Sequence, residues 1–245
     1  MKTLLFSCVL CLANFCNPVK QYSTLTKCDK RKIDFNDCLS GAIKNAISSL
    51  DKPMEKYNLP SLEPFFVPFF FPKAGLKPEF DTKLKNCKIF GRTKITDLTA
   101  KVNFEDKTLT MSITNPEMRY EFDYETKGVL FLLPIDSSGS GLITIQNVTY
   151  TFKFTFEEYT KDNQDYLLVI DSKMMIDPQS VKIYYRNFFK DKVLDDAFSR
   201  ELTANWKKVV AYFMPIYFDS YAQSYGNMFN RFLEKVSFAE LFDGV

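Results

Sequence analysis

From about residue 80 to residue 176 the chain changes side with every residue, and this pattern constrains it more than any other. Leu109, Met111 and Ile113 alternate with Thr108, Thr110, Ser112 and Thr114. Met118, Tyr120, Phe122 and Tyr124 alternate with Arg119, Glu121 and Asp123. Val148, Tyr150, Phe152, Phe154 and Phe156 alternate with Thr149, Thr151, Lys153 and Thr155. A period of two gives each stretch one apolar and one solvated strand face, and the apolar face must be covered by something else. Val129–Ile135 and Tyr166–Ile170 are apolar on both faces and read as more central. Turn signals at 105–107, Asn115-Pro116, Lys127-Gly128, Asp136–Gly141 and Lys161–Asp165 divide the strands at short spacing, which predicts an antiparallel meander of hairpins.

The cover is supplied by the C-terminal quarter. Leu194, Phe198, Leu202, Trp206, Val210, Phe213, Tyr217, Tyr221, Tyr225, Met228, Phe232 and Val236 recur in steps of three or four. That is helical spacing, and Val193–Lys235 unbroken makes a rod of roughly 65 Å at about 1.5 Å per residue. Pro215 predicts a kink or a split in it. A rod with so broad an apolar side needs an extended apolar partner, and the simplest solution is an α+β fold with a strongly curved antiparallel sheet wrapped along the helix. A shorter helix is predicted over Asp34–Lys52, with Asp34 or Asn36 as N-cap and Pro53 closing it. Between them, the prolines at 60, 64, 68, 72 and 78 exclude a helix, although the segment holds Phe65, Phe66, Phe69, Phe70 and Phe71. Extended edge pieces over apolar surface, or the rim of a cavity, fit that composition.

Met1–Cys16 has an early Lys2, an apolar run from Leu4 to Ala13 and no acidic residue before Asp29, the layout of a secretory signal peptide with cleavage between residues 13 and 19. The run is too short to span a bilayer. The expected mature chain, 17–245, is a single exported domain without integral membrane association. Of six cysteines, cleavage after Cys16 leaves Cys28, Cys38 and Cys87. Export permits disulfides; Cys28 and Cys38 are close in sequence and are paired here, while Cys87 reads as a buried inert thiol. Asn147-Val148-Thr149 is a glycosylation sequon in an exported chain.

The chain has no histidine, so triads, Cys–His nucleophiles and His-ligated zinc are excluded. Lys and Arg number 32 against 30 Asp and Glu, a balance that argues against nucleic acid as a partner. Asp136–Gly141 (DSSGSG) is glycine-rich but precedes no helix and carries no phosphate-binding Lys. The pairs Glu157-Glu158 and Asp195-Asp196 read as surface charge, and Lys207-Lys208 as the solvated side of the long helix. No catalytic constellation, metal site or cofactor site is visible. What remains is an interior rich in Phe (25) and Tyr (13), which fits both close packing and a ligand cavity.

Several blocks, in order, resemble the insect haemolymph juvenile hormone-binding and takeout proteins. Cys28…Cys38 with its following helix and Leu59–Pro64 (LPSLEP) is similar to the family's opening. Asn86–Gly91 (NCKIFG), Leu132–Gly141 (LLPIDSSGSG), Asn187–Trp206 and Phe238–Phe242 (FAELF) resemble later blocks. Cys87 stands at a usually aliphatic position, and PFFVPFFFP is unusually aromatic. The resemblance implies a tubular lipid-binding fold. It also implies a secreted, non-catalytic carrier, resident in haemolymph or another extracellular fluid and expected to be a monomer, that holds a juvenile hormone-like terpenoid, a fatty acid or another lipid in an apolar tunnel. The alternative is a secreted signalling protein of the takeout type that acts in feeding, circadian or chemosensory physiology through a receptor or other protein partner. Expected ligand-binding residues are Phe69, Met111, Ile113, Tyr120, Phe122, Leu132, Phe152 and Phe154 from the sheet and Phe198, Leu202, Trp206, Phe213 and Tyr217 from the helix. The hydroxyls of Tyr120 or Tyr217 are the expected polar anchors.

Overall fold

The structure is a computed structural model that describes residues 26–70, 80–130 and 133–244. The signal-peptide reading and Leu132 therefore lie outside the described residues. A short strand β1 (Cys28–Asp29) precedes helix α1 (Phe35–Ser48). Strands β2 (Phe65–Phe70), β3 (Phe80–Phe90), β4 (Asp97–Asn103), β5 (Thr108–Leu130), β6 (Leu133–Lys161) and β7 (Gln164–Arg186) follow. The chain ends in α2 (Lys192–Ala204), α3 (Trp206–Leu233), α4 (Phe238–Leu241) and β8 (Phe242–Asp243). The main sheet is antiparallel in the order β2-β3-β5-β6-β7, with β4 paired to the other half of β5. β1 and β8 pair in parallel and bring the two ends of the described chain together.

Helix α3 reveals the shape of the sheet. Tyr217 on α3 donates to the Thr82 carbonyl of β3 at 2.7 Å, and Tyr221 shares a 3.1 Å hydroxyl contact with Tyr120 of β5. Tyr225 packs on Phe65 of β2 and Phe152 of β6, with ring centroids 5.9 and 4.7 Å apart. Asn230 bonds both the N–H and the carbonyl of Val169 on β7, at 2.7 and 2.9 Å. Strands are about 4.8 Å apart and a helix is only about 10–12 Å wide, so one helix reaches five consecutive strands only if the sheet curls around it. This is the α+β wrap expected from the periodicities, and the sheet stays open, with β2 and β7 as edges.

The alternation conceals longer strands than the turn signals suggest. Asn115-Pro116, Lys127-Gly128 and Asp136–Gly141 are not turns; all lie inside β5 or β6. On β5 the buried positions are odd up to Asn115 and even from Met118; on β6 they are odd up to Ile145 and even from Val148. Both phases slip at the same level, where Pro116, which has no N–H, lies across from Asn147, whose φ is +44°. A phase slip reads as a strand boundary in sequence, but here the ladder resumes beyond it. Gly139 and Gly141 serve close approach rather than a turn: a Cβ on Gly139 would collide with the Arg186 carbonyl, and one on Gly141 with the Phe122 ring. The real β6–β7 turn is at Asp162-Asn163, both at positive φ (51° and 59°), as Lys161–Asp165 predicted.

Other expectations are corrected as well. Tyr166–Ile170 is not central: it lies on the edge strand β7, and Ile170 is 51% exposed; Val129, near the end of β5, is 47% exposed. α1 ends at Ser48, before Pro53, and Asp34 makes no side-chain cap. The long rod breaks at Asn205 (φ −104°, ψ 23°), and α3 continues through Pro215. Asp195 is buried at 4% exposure rather than solvated. It accepts the N–H groups of Asn187 and Phe189 at 2.6 and 2.9 Å. The pairing of Cys28 with Cys38 is present, with Cα atoms 5.8 Å apart, and Cys87 is a free buried thiol.

Candidate functional site

The inward faces of the sheet and α3 do not close completely. A cavity of about 480 Å³ lies between β3, β5, β6 and β7 on one side and α2 and α3 on the other. Its wall includes Tyr120, Phe122, Phe198, Leu202, Phe213 and Tyr217 of the sequence-expected set, and the exposed Lys208 and Tyr212 also border it. A second cavity of about 220 Å³ lies beneath α1, and Met111, Ile113, Phe152 and Phe154 line it. The expected residues thus divide between two spaces, with the break at the phase slip of β5 and β6. Trp206 is half-buried and is on neither wall. Phe69 is on the edge strand β2, paired with Lys85.

Tyr150 borders both cavities. Its hydroxyl lies 2.8 Å from that of Tyr120, which in turn lies 3.1 Å from that of Tyr221. Burial raises the pKa of Tyr120, an effect that the charge of Arg92 opposes; burial raises Tyr150 further, reinforced by Tyr120. Tyr120 and Tyr150 therefore remain neutral phenols that can donate and accept within the row. Tyr120 and Tyr217, the expected anchors, are therefore already engaged, Tyr217 on the Thr82 carbonyl. A ligand polar group would meet the tyrosine row rather than an idle hydroxyl. Cys87 borders the larger cavity, and desolvation pushes its thiol up to about 12.

Sequence reasoning missed Arg92. It follows the Gly91 turn, where a basic residue reads as solvated loop, yet it is 7% exposed. The turn is held from several sides. The Glu63 carboxylate accepts the Gly91 N–H, with both oxygens at 2.9 Å. Asn115 Nδ2 is shared among the carbonyls of Gly91, Arg92 and Lys94 at 2.8, 3.3 and 3.1 Å. The guanidinium carbon lies 4.5 Å from the Tyr225 ring centroid, 5.1 Å from Tyr221 and 5.2 Å from Phe65. Each such contact gives about 0.5–2 kcal/mol, against a burial cost of several kcal/mol for the ion. Burial lowers the guanidinium pKa, but arginine keeps its proton in proteins. Among the described residues no group of three acidic or cysteine side chains is placed to hold a metal ion, and no helix is long and apolar enough to cross a membrane.

A sequence model of the family described as Haemolymph juvenile hormone binding protein matches residues 4–243. The Circadian clock-controlled protein daywake of Drosophila melanogaster is 22% identical over 231 residues, covering 90% of this chain and 88% of the relative. The crystal structure of Epiphyas postvittana Takeout 1 superposes with a TM-score of 0.74 at 18% identity, over 89% of this chain and 99% of the other. That likeness establishes the tubular wrap as a shared fold.

Proposed function

The chain belongs to the haemolymph juvenile hormone binding protein family, and on that basis we propose that it is a secreted, non-catalytic carrier of one small hydrophobic molecule. The ligand class is a terpenoid, a fatty acid or another single-chain lipid, and the site is the apolar space between α3 and the curved sheet. The observation that carries this reading is the 480 Å³ cavity, walled by Phe122, Ile143, Ile183, Leu202 and Phe213. Its size is within the range of about 300–1,000 Å³ typical of small-molecule sites. Each methylene withdrawn from water contributes about 0.8 kcal/mol, so a dozen give roughly 10 kcal/mol before entropy costs. Wall shape then sets which chain fits, and the tyrosine row offers hydroxyls to an ester, epoxide or carbonyl.

The apolar N-terminal run supports export, and a disulfide suits an oxidising compartment. Asn147 is exposed on β6, where a glycan would point to solvent. In this reading the mature protein is a monomer with the lipid as its partner. The test is native mass spectrometry of delipidated protein offered a mixture of fatty acids, their methyl esters and linear terpenoid esters. One-to-one adducts are expected; a protein that stays bare across the mixture overturns the reading.

A further inference from the structure

Three buried side-chain polar atoms lack a hydrogen-bond partner among the described residues: Arg92 Nε, Arg92 Nη2 and Tyr225 Oη. All three belong to residues that line the smaller cavity, and the Arg92 guanidinium lies against the Tyr225 ring at 4.5 Å. Buried donors are nearly always satisfied, so a cluster of unsatisfied ones in one place calls for a partner. The lining residues of this cavity include no Asp or Glu. The acid that acts electrostatically on Arg92 is Glu63, and its oxygens already accept the Gly91 N–H and the Thr93 hydroxyl. The Arg92 charge is thus enclosed by rings and pinned through its backbone, with no anion paired to it among the described residues. Aromatic faces satisfy the flat sides of a guanidinium but leave its in-plane N–H groups without acceptors.

We propose that the smaller cavity is the head-group site for an anionic amphiphile: a fatty-acid-type carboxylate accepts hydrogen bonds from Arg92 and Tyr225, and its chain lies along Met111, Phe152, Phe154 and Phe229. This deepens the carrier reading and rests on it. A planar carboxylate matches the two nitrogens of a guanidinium, whereas a neutral ester of the same chain supplies no charge and only weak acceptors. The charge therefore selects among lipids that the apolar walls alone would not distinguish.

Affinities of the delipidated full-length protein for decanoate, methyl decanoate and decanol, measured by isothermal titration, test the proposal. Decanoate is expected to bind at least ten-fold tighter than either neutral lipid, and Arg92→Met to collapse that ratio toward one. Circular dichroism checks that the variant is folded; if it is not, the wild-type ratio alone decides. Equal affinity for acid and ester overturns the head-group assignment while leaving the carrier reading intact. A folded variant that keeps the preference also overturns it, as does displacement of decanoate by acetate at equal concentration, which makes the site one for a bare anion. If none of the three lipids binds, the head-group assignment fails, and the carrier reading is decided by the terpenoid esters of the mass-spectrometric test.

Discussion

Cys87 is 1% exposed on β3, and its thiol is shifted from an ordinary 9.0 to about 12 by burial, with Arg92 opposing the shift. A neutral thiol is a poor nucleophile. The mature chain 17–245 at pH 8 should therefore resist iodoacetamide while folded, and one cysteine should react after unfolding in urea with the disulfide intact; rapid labelling of the native protein would contradict the assigned burial. Linkage gives the sign of the pH effect. The folded state holds this proton more tightly, so the contribution to stability is full below pH 9 and is lost as pH rises toward 12. At this scale the sequence conveyed a buried cysteine correctly, from its apolar, strand-like context. It misrepresented Asp195 and passed over Arg92, because a charge in a loop or first helical turn is solvated unless the fold covers it. What covers each lies far along the chain or across a turn.

Elements meet by an arrangement with a simple polar logic. β7 is one edge of the sheet, and an edge strand must occupy its unpaired N–H groups. Helix α2 provides acceptors at four-residue intervals: Thr203 takes the Ile183 N–H at 2.9 Å, Ser199 takes Tyr185 at 3.0 Å and Asp195 takes Asn187 at 2.6 Å. The polar stripe of α2 is thus a stand-in for the next strand, and it draws the apolar face, Phe198 and Leu202, onto the cavity. Asp195→Ala leaves the N–H groups of Asn187 and Phe189 without this acceptor, at about 1–3 kcal/mol for each unsatisfied group. Urea denaturation should show a loss within that range or its double; an unchanged midpoint would mean that the edge is satisfied some other way. The four-residue spacing was readable in the sequence as one helical face. Its purpose was not, since the strand it caps looked internal by its apolar residues on both faces.

The whole molecule turns on whether its interior is filled. Val181 is 3% exposed on β7 and borders the larger cavity. Val181→Phe adds a ring to that space. In a solid core such overpacking costs about 1–3 kcal/mol; in a real cavity it should leave the thermal midpoint unchanged or higher while abolishing adducts of the linear terpenoid esters in native mass spectrometry. A clear drop in the midpoint would argue for a packed interior. The sequence by itself determined the one-sided sheet and its helical partner, because side-chain alternation of two or of three to four reports which backbone can bury one face. It also determined the disulfide and the apolar character of the walls. Only the tertiary structure decided that two phase slips fall at one level and divide the interior, that a tyrosine row stands there, and that Arg92 is enclosed with no acid paired to it among the described residues. Periodicity records which face is buried, and it is blind to what the opposite wall contributes and to the volume left between them.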